Sequence, residues 1–295
     1  MKFGLLLPNY GPTASKEMIE QSARLAEVLG FDSVWTTDHV LVPTTNADPY
    51  GILLESLIAL TLAATVTSRV QLGTSIIVTP LREPVLLAKQ LAALDVLSGG
   101  RLVLGAGVGW MEKEFQFLGA DFAQRGEIFD EGLQVLRTLW KGEQQFQGIF
   151  TTFAEALFAP LPLKRDQLPI WIGGNSQNAI RRAATLADAW HPVGLTPTEL
   201  SSGAAQLRAL AAGRQVMVTL RTNVALLDEE GLDSQQNFAA PGQILRGTPD
   251  EIGQILIEYR EAELEYAVIW FFHTSWDDLK SRVVQFADKV MPLLK

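Results

Sequence analysis

The apolar stretch "SVWTTDHV" at positions 33–40 ends on Asp38 and His39, side by side. Histidine changes charge near neutrality, and an adjacent carboxylate can orient its ring or raise its basicity, so this pair suits proton transfer. Two glycine-rich turns offer a different chemistry. "GAGVG" at 105–109 presents, at Gly107, Val108 and Gly109, backbone flat enough for a planar ring to lie on, or else a tight turn. It lacks the later strand-end acid of a dinucleotide fingerprint. In "IGGNSQ" at 172–177, Gly173 and Gly174 allow close backbone approach, and Asn175 or Ser176 can cap the helix that follows. The free N–H groups of such a first turn favour an anion such as phosphate.

Composition removes several other chemistries. The chain has no cysteine, which excludes disulfides, thiolate metal sites and cysteine nucleophiles. Its three histidines occur singly, with no His-x-His or His-Glu-x-x-His spacing, so no metal is expected. A net charge of −9 lacks the basic footprint that nucleic acid requires. No apolar run is long enough to span a bilayer, and "MKFGLLLPNYG" does not read as a signal peptide, so no membrane association and a cytoplasmic location are expected.

These residues need elements to hold them, and the chain supplies a regular alternation. Strands are predicted over 3–8, 33–38, 70–79, 101–109, 169–174, 188–193, 215–226 and 266–272. Helical patterns follow them over 15–30, 53–66, 83–100, 112–118 with 125–141, 176–187, 197–212, 248–264 and 277–291. Near-continuous apolar strands, each followed by a helix, point to a parallel sheet buried on both faces. Eight repeats in 295 residues fit an α/β (β/α)8 TIM barrel, read as one domain over 1–295, with insertions at 142–168 and 227–247. In such a barrel the chemistry gathers where strands end. His39, His191 and His273 all fall at predicted strand ends, as do both glycine turns.

"GFDSVWTTDHV", "VQLGTSIIVTPLREPVLLAKQLAALDVLSGGRLVLGAGVGWMEKEF" and "FAPLPLKRDQLPIWIGGNS", with "FGLLLPNYG" and "GTPDEI", resemble the bacterial luciferase-like monooxygenase superfamily from about residue 3 to residue 290. Within it, the compact length and "GVGWMEKEF" look most like the branch that uses the deazaflavin coenzyme F-420. The resemblance implies a flavin-type ring at the barrel mouth, set against a non-proline cis peptide that would fall at Ser75-Ile76. It implies His39 beside the reactive ring, Gly107, Val108 and Gly109 as a backbone wall, and Gly173, Gly174, Asn175 and Ser176 around a phosphate. It also implies a homodimer, for which the apolar helix at 53–66 is a candidate face.

The sequence departs from the superfamily's sugar-phosphate dehydrogenases, which place a glutamate where this chain has Trp110; the nearest acid is Glu112. Trp110, Trp190 and Phe272, with His191 and Glu112, are the candidate walls of a pocket for a less polar small molecule. The expected activity is hydride transfer between coenzyme F-420 and a small organic substrate, with His39 handling the proton and Asp38 orienting it. The alternatives are an FMN-dependent monooxygenase, served by a flavin or deazaflavin reductase, and a flavin-binding protein without catalysis. The polar 227–247 stretch would suit a lid.

Overall fold

The computed structural model describes residues 1–227 and 244–294, and all eight expected strands are present. They are β1 (Lys2–Leu6), β2 (Ser33–Thr36), β3 (Gln71–Thr74), β4 (Leu102–Gly107), β5 (Ile170–Gly173), β6 (Ala189–His191), β7 (Met217–Leu226) and β8 (Tyr266–Phe271). Each pairs in parallel with the next, and β8 pairs with β1 to close the barrel. The helices around it are α1 (Lys16–Val28), α2 (Ser56–Val66), α3 (Pro84–Leu97), α4 (Arg125–Lys141), α5 (Gln177–Leu186), α6 (Pro197–Ala211), α7 (Pro249–Glu261) and α8 (Trp276–Gln285).

Side chains alternate across each strand, so each stave feeds two cores. Phe3, Leu5, Val34, Leu72, Leu104, Ile172, Leu220 and Ile269 face the helices and join the larger cluster. Leu6, Trp35, Val103, Trp171, Tyr266 and Val268 fill the barrel itself. Trp35 of β2 fits because its neighbours on β1 and β3 are Gly4 and Gly73; a Cβ there would lie 2.4 and 2.1 Å from the indole. Burying a side chain of this size contributes about 2–3 kcal/mol. The barrel is therefore plugged below its mouth, and ligand chemistry is confined to the ends of the strands.

Two expectations need correction. The stretch at 70–79 is not one strand: β3 stops at Thr74, and Ile77–Val78 resumes pairing against Ala106 and Gly107 of β4. The helix expected over 277–291 ends at Gln285, and a wider turn (Phe286–Val290) and a short 3-10 turn containing Pro292 complete it. The 142–168 insertion joins α4 to β5, at the end of the barrel opposite the mouth. It forms a small hairpin, Phe146–Gln147 with Thr152–Phe153, and is tied to the helices by Leu163 N–H donating to Asp95 and Arg137 donating to the Asp166 carbonyl. Most of the 227–247 stretch lies outside the described residues.

Candidate active site

His39 leaves β2 at the mouth and meets an acid from another stave. After β4, Gly109 adopts a left-handed φ of +81°, turning the chain into the short helix Glu112–Phe117. That helix aims Glu114 inward. Its Oε2 lies 2.8 Å from His39 Nδ1, while its Oε1 accepts the backbone N–H groups of Val40 (2.6 Å) and Leu41 (3.2 Å). Both side chains are nearly inaccessible. Burial pushes the Glu114 carboxyl up, but the His39 contact and the two N–H donors outweigh it and hold it below its ordinary value. Glu114 is then ionised at neutral pH and can only accept, so neutral His39 carries its proton on Nδ1. Nε2 keeps a lone pair, and no group among the described residues bonds it.

This arrangement corrects two expectations. Asp38 does not orient His39: it points the other way, accepting Val78 N–H (3.0 Å) and Arg82 Nη2 (2.6 Å). Adjacent residues of extended chain face opposite sides, so the two could not easily act on one ring. Arg82 also pairs with Glu55 at 2.9 Å, which strings β2, the resumed strand at Ile77–Val78 and the start of α2 together. Burial works against the charge on Arg82, but Asp38 and Glu55 prevail and hold the guanidinium above its ordinary range. Glu112, the acid singled out as nearest the turn, is exposed and touches only Gln116.

The peptide between Ser75 and Ile76 is cis, at the position the resemblance implies. Ile76 drops into a gap between two glycines. A Cβ on Gly107 would lie 2.4 Å from Ile76 Cδ1, and one on Gly173 would lie 2.8 Å from Ile76 Cγ2. The glycines of β4 and β5 thus have a steric reason internal to the chain. Val108 and Gly109 are partly exposed beyond them.

Two candidate pocket walls lie elsewhere. His191 is fully buried beneath the cis peptide, between Ser75 Oγ (2.9 Å from Nε2) and Thr219 Oγ1 (2.6 Å from Nδ1). Thr219 donates its hydroxyl proton to the Trp190 carbonyl, so it accepts from His191 Nδ1–H, and Nε2 accepts from Ser75. Burial, with Arg221 nearby, pushes the His191 pKa down to about 3. Trp190 faces outward: its Nε1–H donates to the Gly174 carbonyl and its ring packs on Gly203 of α6. The remaining two candidates are at the mouth, with Trp110 60 % exposed and Phe272 partly buried against the inner cluster.

The structure adds residues to which the sequence had given no role. Arg221 of β7 donates from Nη1 to the Ser75 carbonyl (3.1 Å) and from Nη2 to the Tyr10 hydroxyl (3.3 Å). Tyr10 stacks on Trp270 at 4.5 Å and meets Tyr50 at 5.6 Å, and Tyr50 meets His39 at 4.7 Å. Alternation along β7, with Thr219 already facing the barrel, was a signal for Arg221. Nothing in the sequence spacing pointed to Tyr50.

At the end of β5, Ser176 caps α5 by accepting Ala179 N–H, and Asn175 is held by reciprocal bonds to the Val193 backbone. No acceptor among the described residues takes the N–H groups of Ser176, Gln177 or Asn178. Arg181 and Arg182 are turned to Asn178 and Asp130, so an anion here would rest on backbone donors.

The family model described as luciferase-like monooxygenase matches residues 1–230. The chain belongs to this family. The oxygenase component of a flavin-dependent trigonelline monooxygenase from Acinetobacter baylyi is 31% identical over 165 residues, covering 55% of this chain and 44% of that protein. Among solved structures, the monooxygenase RslO1 from Streptomyces bottropensis aligns with a TM-score of 0.83 at 22% identity, over 99% of both chains. An F420-dependent secondary alcohol dehydrogenase, in complex with an F420–acetone adduct, aligns with a TM-score of 0.83 at 18% identity, over 100% of this chain and 99% of that one. These two establish a shared fold. Proteins that share this fold thus include both a monooxygenase and an F420-dependent dehydrogenase. Among the described residues no cluster of three or more acids and histidines could hold a metal, and no helix is long and apolar enough to cross a membrane.

Proposed function

We propose that the chain is an oxidoreductase that binds coenzyme F-420 at the barrel mouth and exchanges hydride with a small organic substrate. The observation that carries this reading is the His39–Glu114 pair, which commits Nδ1 to the carboxylate and leaves His39 Nε2 without a partner among the described residues. When bound, the deazaflavin supplies a hydride acceptor or donor at C5. Oxidising a carbinol also requires a base for the hydroxyl proton. His39 Nε2 would take that proton, and the ionised Glu114 would stabilise the resulting imidazolium. In the reverse direction the same nitrogen would return it.

The residues present fit such a group. Ile76 and the Gly107–Gly109 backbone form a wall without polar side chains, suited to the face of a ring. The N–H groups of Ser176, Gln177 and Asn178 suit its phosphate. Trp110 and Phe272 border the space left for substrate. We further propose a homodimer through α2, whose Ile58 is 72 % exposed; Leu54, just before that helix, and Leu86 on α3 are exposed as well.

A second reading, an FMN-dependent monooxygenase supplied by a partner reductase, is favoured by the 31% identity to a flavin-dependent oxygenase component. Titration of the protein with F-420 and with FMN, followed by absorbance, separates the two. Binding of F-420 with turnover of a secondary alcohol supports the first. Binding of FMN alone, with oxygen consumed when reduced flavin is added, overturns it.

A further inference from the structure

A contiguous aromatic wall runs around half of the mouth. Trp110 lies 5.9 Å from His39, His39 4.7 Å from Tyr50, Tyr50 5.6 Å from Tyr10, Tyr10 4.5 Å from Trp270, and Trp270 5.0 Å from His273, by ring centroids. These residues come from the ends of β8, β1 and β2, which are consecutive staves, and of β4, which lies beyond β3. Arg221 on β7 continues the arc.

Arg221 is exceptional electrostatically. The chain is acidic, at −9, and the other charges of this region are matched: Asp38 to Arg82, Glu114 to His39 and two N–H groups. Arg221 has only neutral oxygen partners among the described residues, the Ser75 carbonyl and the Tyr10 hydroxyl. A guanidinium has five N–H donors, and these two bonds leave three without a partner. A partly buried cation without a counter-charge is held at a cost that a bound anion would offset.

We infer that Arg221 and Tyr10 form the subsite for an anionic oxygen group, and that the substrate is a flat, apolar molecule bearing one carboxylate. The carboxylate would sit on the free guanidinium donors, and the apolar body would lie along the wall between Tyr10 and Trp110, below His39 Nε2. Aromatic faces supply area at low entropic cost, and the single cation fixes which end of the molecule enters first. This rests on the reading that the mouth is the cofactor and substrate site.

The test uses a matched pair of probes, 2-naphthoate and its neutral amide, titrated calorimetrically into wild-type protein with and without saturating F-420 or FMN. Naphthoate is expected to bind at least tenfold more tightly than the amide. That ratio should fall to within twofold in Arg221→Gln and be largely kept in Arg221→Lys. Tyr10→Phe, which keeps the ring stack, should lower the ratio severalfold, while Tyr50→Ala should weaken both probes alike. Arg221→Lys, which can keep a bond to the Ser75 carbonyl, should retain cofactor affinity. A wild-type ratio near one, no binding of either probe, or an undiminished ratio in Arg221→Gln would each overturn the inference. If wild type binds neither F-420 nor FMN yet still prefers naphthoate, the functional reading fails and the anion subsite stands.

Discussion

Glu114 Oε2 lies 2.8 Å from His39 Nδ1, joining two staves of the barrel across 75 residues of sequence. One carboxylate performs three tasks: it fixes the His39 tautomer, balances the charge His39 gains on protonation, and satisfies the N–H groups of Val40 and Leu41. Because both oxygens are committed, the ring cannot rotate without breaking a charge-assisted bond.

Replacing His39 by Ala should therefore lower turnover by roughly 10²–10⁴-fold with cofactor affinity little changed, the range expected for loss of a general base. Glu114→Gln keeps an acceptor but removes the charge, so it should lower kcat more than it raises KM. Glu114→Ala also orphans buried donors and should cost about 1–3 kcal/mol of stability. Steady-state kinetics and urea denaturation on the three variants check this. A Glu114→Gln enzyme with wild-type kcat would remove the charge from the mechanism.

The glycines opposite Ile76 give a steric prediction. A Cβ on Gly105 would lie 1.8 Å from the Thr74 carbonyl, which is backbone and cannot give way, whereas the one severe clash at Gly107 would be with Ile76 Cδ1, at 2.4 Å. Gly105→Ala should be strongly destabilising. Gly107→Ala should cost about 1–3 kcal/mol and be rescued in large part by Ile76→Val, which removes the clashing methyl. Thermal unfolding of the single and double variants measures the coupling.

The barrel and both glycine turns were legible in the sequence because strand period, helix period and glycine placement are local signals. His39 stood out for the same reason, as a polar residue ending an apolar run. Its partner did not. The turn at Gly109 and one helical turn decide that Glu114, not Glu112, bonds His39, and that is a matter of three-dimensional phase. Trp190 and His191 were misplaced for a related reason. In an apolar strand buried on both faces, hydrophobicity cannot say which residue looks into the barrel, and Trp190 looks out while His191 lies under the mouth.

Arg82 bridges Asp38 and Glu55, with its own side chain 13 % exposed and that of Asp38 fully buried. Arg82→Met would leave the Asp38 charge without its cation and should destabilise the fold by about 3–5 kcal/mol. The double change with Asp38→Asn should recover much of that loss, since it removes the stranded charge. Equilibrium unfolding in urea of both variants tests it, and equal losses in the single and double variants would refute it.

The proposed dimer face makes a prediction about assembly. Ile58 on α2 is 72 % exposed and Leu86 on α3 57 % exposed, too apolar a pair for solvent if nothing covers them. Light scattering should give a dimer for the wild type and a monomer for Ile58→Glu. A wild-type monomer at micromolar concentration would sink the proposal.

His191 makes stability depend on pH with a definite sign. Burial, with Arg221 nearby, lowers its pKa to about 3, against an ordinary value of 6.5. Between those values the unfolded chain binds a proton that the folded one refuses, so acid favours unfolding. The stability associated with neutral His191 is complete above about pH 6.5 and is lost as pH falls toward 3, at up to about 1.4 kcal/mol per pH unit. His273, also pushed down by burial, adds a contribution of the same sign. Glu27 and Glu114, both lowered, lose theirs only below the ordinary carboxylate range, whereas Asp38, pushed up by burial, works in the opposite sense to the histidines. Wild-type protein should therefore be about 2 kcal/mol less stable at pH 5 than at pH 6.5 from His191 alone. His191→Gln should shrink that difference whatever its effect on absolute stability. Urea denaturation of both proteins at the two pH values decides the matter, and an unchanged difference in the variant would mean that His191 is protonated in the fold.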